Sequence, residues 1–181
     1  ITTGTGLKIN ADIFLVLEYK HVKPGKGGAF LRTKLRNIKT QQVLDRTFRP
    51  GDKIEDVDLE EKKLQNLYQS GDTFHFMDLE SYEETTVPKE LIGESVKFLQ
   101  DNLEVEAICH KNKVLKIDLP TFIISEITHT EPGFKGDTAT GGNKPATIDT
   151  GATVQVPLFI NIGDKVKIDT RSGAYVERVK Q

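Results

Sequence analysis

The 181-residue sequence predicts an all-β protein made of three small barrels. Three observations carry that prediction. Short runs rich in Val, Ile, Phe, Tyr and Thr recur along the chain, and several alternate apolar with polar residues at the period of a strand. Clusters of Gly, Pro, Asn and Asp separate these runs. Only one stretch, from Pro88 to Asn102, carries helix signals.

Ile13 to Val22 reads as a strand, and Ala29 to Ile38 alternates after a glycine-rich break. In that second run Leu31, Thr33 and Leu35 fall on one face, and Arg32, Lys34 and Arg36 on the other. The residues between them, Lys23 to Ala29, make the loop of a hairpin whose outer face carries three cations. "FRPGDK" (Phe48 to Lys53) reads as a turn with Pro before Gly. Residues 1–58 are therefore expected to form one small all-β barrel.

The middle region, 59–130, contains Tyr68 and "TFHFMDL" as strands around a turn at Ser70-Gly71-Asp72. "PKELIG" and "ESVKFLQDN" are short helical candidates, with Pro88 placed to start a helix and Gly93 to end it. "LEVEAICHKNKVLKIDLP" supplies two strands about the turn Lys111-Asn112-Lys113, and "FIISEITHTEPG" closes the set. Strands interrupted by one helical segment fit a five-stranded barrel of the oligonucleotide-binding type. Glu131-Pro132-Gly133 marks the expected boundary.

Residues 131–181 begin with a polar loop, "FKGDTATGGNKPATIDTG", followed by the strands "ATVQVPLFI", "DKVKIDT" and "AYVERV". Pro157 cannot donate to a ladder, so its strand should lie at a sheet edge or carry a bulge. "RSG" reads as a hairpin turn, and the region again suits a small barrel.

Composition excludes several classes. With 36% hydrophobic and 29% charged residues the chain suits a soluble protein of small domains. Its longest apolar run, Ile13 to Leu17, is far too short to span a bilayer, and no signal peptide precedes it. The lone Cys109 cannot form an internal disulfide, which suits a reducing cytosol. Charge is divided unevenly: residues 1–55 carry a net +6, residues 56–130 a net −9, and residues 131–181 a net +1. A basic first third beside an acidic middle suggests that the first third meets a polyanion, although solvated charged faces would give the same pattern.

Tests for chemistry come back largely empty. A phosphate-cradling P-loop needs Lys followed by Ser or Thr at a helix start, but Lys26 is followed by Gly27 and a strand. The dinucleotide fingerprint would need a glycine where Phe30 stands. His21, His75, His110 and His129 are scattered without zinc spacing, so no metal is expected. Cys109 and His110 are adjacent on a strand and point to opposite faces, which makes Cys109 a buried structural residue. Glu83-Glu84 and Asp78/Glu80 read as solvated surface, and no Gly-x-Ser-x-Gly elbow is present. No enzyme and no cofactor is expected. What remains is the glycine loop. It is either an ordinary solvated turn or a platform in which Pro24 stiffens one limb while Gly25, Gly27 and Gly28 permit backbone angles and close approach that a side chain would block, so that Lys26 projects its amine.

At this point the residues resemble the bacterial elongation factor P family, related to the hypusine-bearing translation factor of eukaryotes and archaea. "HVKPGKGGAF" (His21 to Phe30) matches that family's modified loop. "KGDTATGGNKPATIDTGATVQVPLFINIGDKVKIDTRSGAYVERV" matches its carboxy-terminal region, including Lys144-x-Ala146, Gly151, Val156-Pro157 and Gly163. "TFRPGDK" and "FHFMDLESYE" also fit. The resemblance covers about residues 14–181, and the first dozen residues match least well.

The resemblance implies an SH3-like domain followed by two OB-fold domains, arranged as an L. It implies a monomeric cytoplasmic factor that binds the ribosome between the peptidyl and exit sites, touches both subunits, and relieves stalling at consecutive prolines by positioning peptidyl-tRNA. Lys26 stands where the family carries a lysine lengthened by a modifying enzyme, presented by Pro24, Gly25, Gly27 and Gly28. Arg32, Lys34 and Arg36 are implied contacts to tRNA or ribosomal RNA phosphates. Gly136, Asp137, Thr138, Gly141 and Gly142 match a loop near the exit-site mRNA codon, and Tyr175 and Arg178 match positions facing the small subunit. The alternative is a generic OB-fold binder of single-stranded RNA, for which no clear cluster of stacking aromatics stands out.

Overall fold

The computed structural model describes residues 1–133 and 141–180. Among them the chain is almost entirely β, in three five-stranded sheets, as the alternation and turn spacing predict. By contact density it divides into two compact units, Ile1–Lys62 with Ala107–Lys116, and Lys63–Glu106 with Ile117–Gln181. No helix among the described residues is long and apolar enough to cross a membrane.

The first sheet has the order β4-β3-β2-β1-β5, from β1 (Gly6–Ile9), β2 (Asp12–Val22), β3 (Phe30–Asn37), β4 (Val43–Phe48) and β5 (Glu55–Val57). The alternation in β3 is realised: Thr33 and Leu35 are buried while Arg32 is exposed and Lys34 and Arg36 are half-buried. Leu7, Phe14, Val16, Leu35 and Phe48 form the core, with Ile1, Ile9, Leu31 and Ile54 packed around it. Each large apolar side chain buried there stabilises the unit by roughly 1.5–3 kcal/mol. Gly6 is required by close approach, since a Cβ there would stand 2.6 Å from the Val57 carbonyl oxygen.

The second sheet runs β10-β9-β6-β7-β8, from β6 (Glu60–Ser70), β7 (Thr73–Asp78), β8 (Glu84–Pro88), β9 (Glu104–His110) and β10 (Lys113–Asp118). The helical candidates become a short helix, α1 (Lys89–Ile92), and a 3₁₀ segment, Gly93–Phe98. Pro88 stands at the N-cap with φ −68°, and Gly93 follows the helix with φ +72°. Lys111 and Asn112 both take positive φ in the tight turn between β9 and β10. Cys109 is buried, as its strand position suggested.

Three strand assignments are corrected, and β1, β4 and β5 were likewise not named from the sequence. The sequence reading omits β8 and closes the middle barrel with the segment around Phe122–Thr130. That segment is β11 (Phe122–Thr130), and it pairs with β12 (Asn143–Ile148) and β14 (Lys165–Asp169) in the third sheet. β12 in turn lies within what was read as a polar loop.

The third sheet has the order β13-β12-β11-β14-β15, with β13 (Thr153–Pro157) and β15 (Ala174–Arg178) at its ends. Pro157 closes the edge strand β13, where a missing N–H costs least. Pro145 sits in the interior strand β12. Its carbonyl accepts a hydrogen bond from Thr130 Oγ1 at 3.0 Å, so its nitrogen also points toward β11. The β11–β12 ladder begins only at Thr130↔Ala146, so the imino nitrogen removes no ladder bond.

Candidate functional site

The β2–β3 hairpin positions the site. Its ladder closes at Val22↔Phe30, leaving the seven residues Lys23 to Ala29 as the loop. All seven are exposed. One turn orders the tip, with the Gly27 N–H donating to the Pro24 carbonyl at 3.4 Å. Lys26 therefore stands at the head of the turn, and no ion pair holds its ammonium among the described residues.

The glycines around it are unusual in what they lack. None of Gly25, Gly27 and Gly28 has a positive φ, although seven other glycines of the described chain do. A Cβ built on Gly25 or Gly28 would meet nothing within 4 Å, and on Gly27 only Pro24 Cγ at 3.3 Å. The expectation that these glycines supply special backbone angles is thus corrected: none of the three takes the left-handed backbone that favours glycine. Their absent side chains leave free space outside the fold, not inside it.

Behind the loop the outer face of the sheet runs in cross-strand rows. Lys20 pairs with Arg32 and Arg32 with Thr47; Glu18 pairs with Lys34 and Lys34 with Asp45; Leu15 pairs with Arg36 and Arg36 with Val43. The three sequence-predicted cations do share one face, joined by Lys20. They are not equivalent, however. Lys34 lies 3.9 Å from Glu18 with Asp45 on its other flank, so its charge is partly offset. Arg32 has no carboxylate partner among the described residues, and its guanidinium stands 5.6 Å from the Phe30 ring centroid.

The remaining predicted residues lie in the other compact unit or outside the described chain. Gly136, Asp137 and Thr138 lie outside the described residues. Gly141 and Gly142 lead into β12. Tyr175 faces inward, pairing with the buried Ile168 and packing against the third-sheet core, and it lines a cleft with Lys97, Asn143, Gln155 and Ser172. Arg178 extends over the exposed Phe159 ring at 5.5 Å and approaches Asp164 at 3.9 Å.

Sequence reasoning missed two features. Arg49 follows β4 and lines a notch with Phe30, Arg32 and Thr47; its spacing from Thr47, two residues along the same strand direction, was the available signal. Tyr68 and His75 stack at 4.2 Å on the second sheet, and both bond to Glu84 Oε1, at 3.1 and 2.8 Å. Burial, reinforced by the Glu84 carboxylate, raises the Tyr68 phenol above its ordinary pKa. Among the described residues no group of three or more His, Cys, Asp or Glu could hold a metal ion.

Comparison with known proteins covers the chain almost end to end. A model of the elongation factor P KOW-like domain matches residues 1–54, one of the elongation factor P OB domain matches residues 59–117, and one of the elongation factor P C-terminal domain matches residues 123–178. Elongation factor P of Ruminiclostridium cellulolyticum is 50% identical over 177 residues, covering 98% of this chain and 95% of the relative. The same factor of Thermoanaerobacter sp. is 46% identical over 176 residues, covering 97% and 95%. A solved structure, eukaryotic translation initiation factor 5A from Methanococcus jannaschii, is 27% identical and covers 66% of this chain and 87% of its own, with a TM-score of 0.46 that is too low to bear on the fold.

Proposed function

The chain belongs to the elongation factor P family, and from that premise we propose that it binds the ribosome between the peptidyl and exit sites and promotes peptide-bond formation at consecutive prolines. One observation carries the reading. The loop exposes Lys26 between glycines, of which Gly25 and Gly28 have open space where a side chain would stand, beside a face rich in cations. A surface kept slim for no internal reason suits entry into a crowded RNA site.

The chemistry asked of the factor is positioning. Proline is a poorly placed nucleophile, and ordering the peptidyl-tRNA acceptor end recovers reactive geometry without the factor touching the bond made. Lys26 is the proposed site of a covalent extension added by a lysine-modifying enzyme. Arg32 is the foremost proposed phosphate contact, with Lys34 and Arg36 behind it. The loop containing Gly136, Asp137, Thr138, Gly141 and Gly142 is proposed to face the exit-site codon, and Tyr175 and Arg178 the small subunit. Action on ribosomes places the factor in the cytoplasm.

The stacked Tyr68–His75 pair is the one observation favouring a generic single-strand binder. The Glu84 carboxylate bonded to both rings works against it, since an anion there repels a phosphate backbone. The deciding experiment is translation of a proline-run reporter in cells whose only copy carries Lys26→Ala. Stalling at the proline run is the expected result; unimpaired translation would refute the reading. Intact mass of the protein from its native cell, with peptide mapping over Lys26, tests the modification.

A further inference from the structure

We infer that the notch at the root of the Lys26 loop grips an RNA backbone phosphate, with Arg49 acting as its second cation beside Arg32. The inference rests on the proposed ribosomal function and names which residues of the basic face carry the contact.

The notch is lined by Phe30, Arg32, Thr47, Arg49 and Asp52. Phe30, Arg32 and Thr47 share one face by register, and Arg49 follows directly after β4. Arg32 pairs with Thr47, and Leu31 with Phe48; carried one pair further, the same register sets Phe30 beside Arg49. Phe30 also pairs with Val22, so the notch lies at the two strand ends from which the loop springs. The notch therefore sits at the base of the loop that carries Lys26.

Charge decides which cations are available. Among the described residues neither Arg32 nor Arg49 has a carboxylate within ion-pair distance, whereas Lys34 has Glu18 at 3.9 Å. Asp52 lines the notch, but its Oδ2 accepts the Arg49 backbone N–H at 2.7 Å, closing a turn in which the Asp52 N–H donates to the Arg49 carbonyl at 3.1 Å. The bond holds that carboxylate in the turn that carries Arg49; its charge remains, and the two guanidinium groups against it leave the notch a net charge of +1. Phe30 supplies an aromatic shelf that restrains the Arg32 guanidinium 5.6 Å above it. Two arginines and a threonine lining one notch are residue types whose guanidinium and hydroxyl donors suit the oxygens of a phosphodiester. Lys34, flanked by Glu18 and Asp45, is the weaker contact.

The test measures binding of the fluorescently labelled full chain to ribosomes between about 50 and 200 mM KCl. Arg49→Gln is expected to weaken binding by about three- to tenfold, as Arg32→Gln does. The slope of log Kd against log salt should fall by roughly 0.7–0.9 for each. Lys8→Gln, which removes an exposed lysine already paired with Glu55 at 3.8 Å, should change affinity less than about twofold. All three positions are on the surface, and unchanged Tm for each variant excludes unfolding as the cause. Arg49→Gln binding with wild-type affinity and slope overturns the notch. Replacing chloride by millimolar inorganic phosphate at matched ionic strength should displace the wild type from ribosomes more than Arg49→Gln, because free phosphate competes for the same guanidinium groups; equal displacement of the two would overturn the notch as a phosphate site. If an oligoglutamate peptide competes through Arg49 and an oligouridylate does not, an acidic protein is the partner and the inference also falls. Failure of the wild type to bind ribosomes at all would sink the functional reading itself, a result distinct from any of these.

Discussion

Phe98 and Gly173 touch: a Cβ on Gly173 would stand 3.2 Å from Phe98 Cζ. Phe98 ends the 3₁₀ segment that follows α1, yet its ring lies in the core of the third sheet with Ile127, Val156 and Ile168, and is 2% exposed. Polar staples surround it. Thr150 Oγ1 donates to the Lys97 carbonyl at 2.6 Å, and Gln100 Nε2 to the Ile124 carbonyl at 2.8 Å. Phe98→Ala would empty a site that three strands enclose, at a cost of about 3–5 kcal/mol. Urea unfolding followed in this variant should show the C-terminal sheet destabilised by that amount. A loss under about 1 kcal/mol would mean the ring is not the keystone of that core.

Asp169 gives the third sheet a pH dependence. Arg171 donates to its carboxylate from Nη2 at 3.1 Å and Nε at 3.3 Å, and from its backbone N–H at 2.9 Å. The Arg171 side-chain bond, then the backbone bond, hold the Asp169 pKa below its ordinary value. A lowered carboxylate pKa stabilises the fold above the unfolded-state value of about 3.9, and the contribution disappears as pH falls through the lower folded value. Asp169→Asn should therefore be less stable than wild type at neutral pH, with the difference shrinking below about pH 4. Parallel urea titrations of the two proteins check this, and a difference that persists at the most acidic pH would contradict it.

Strands that alternate cleanly were legible from the sequence, and β2 and β3 fall within a residue or two of their expected limits. β1, β4, β5, β8 and β12 were not named as strands from the sequence, and two of them show why. β8 is five residues long with Glu at its head and Pro at its end, so only Val87 is fully buried and no period shows. β12 contains Pro145, which ordinarily argues against an interior strand. Its tolerance depends on where β11 stops, a long-range fact that no local pattern contains. The site divides in the same way. The exposed amine and the shared face of Arg32, Lys34 and Arg36 followed from period two, whereas the offset of Lys34 by Glu18 and the arrival of Arg49 beside Phe30 depend on strand register. The loop glycines were read for the wrong reason. Glycine suggests strained backbone, and only the φ values reveal that Gly25, Gly27 and Gly28 carry none.

That distinction yields the sharpest prediction. If the fold needed these glycines, alanine would destabilise it; with ordinary φ and open space around Gly25 and Gly28, alanine should instead leave stability unchanged or raise it by about 0.4–1 kcal/mol through the unfolded chain. Gly27→Ala is slightly more constrained, with Pro24 Cγ at 3.3 Å. A partner that closes around the loop would feel the added methyl groups even though the isolated protein does not. The double variant Gly25→Ala/Gly28→Ala should therefore melt at or above the wild-type temperature while translating a proline-run reporter several-fold more slowly. Both measurements matter, because they separate the possible causes. A lowered Tm would return the glycines to a structural role within the loop. Full activity with an unchanged Tm would mean that nothing approaches the loop closely, and that Lys26 reaches its target from a distance the glycines do not control.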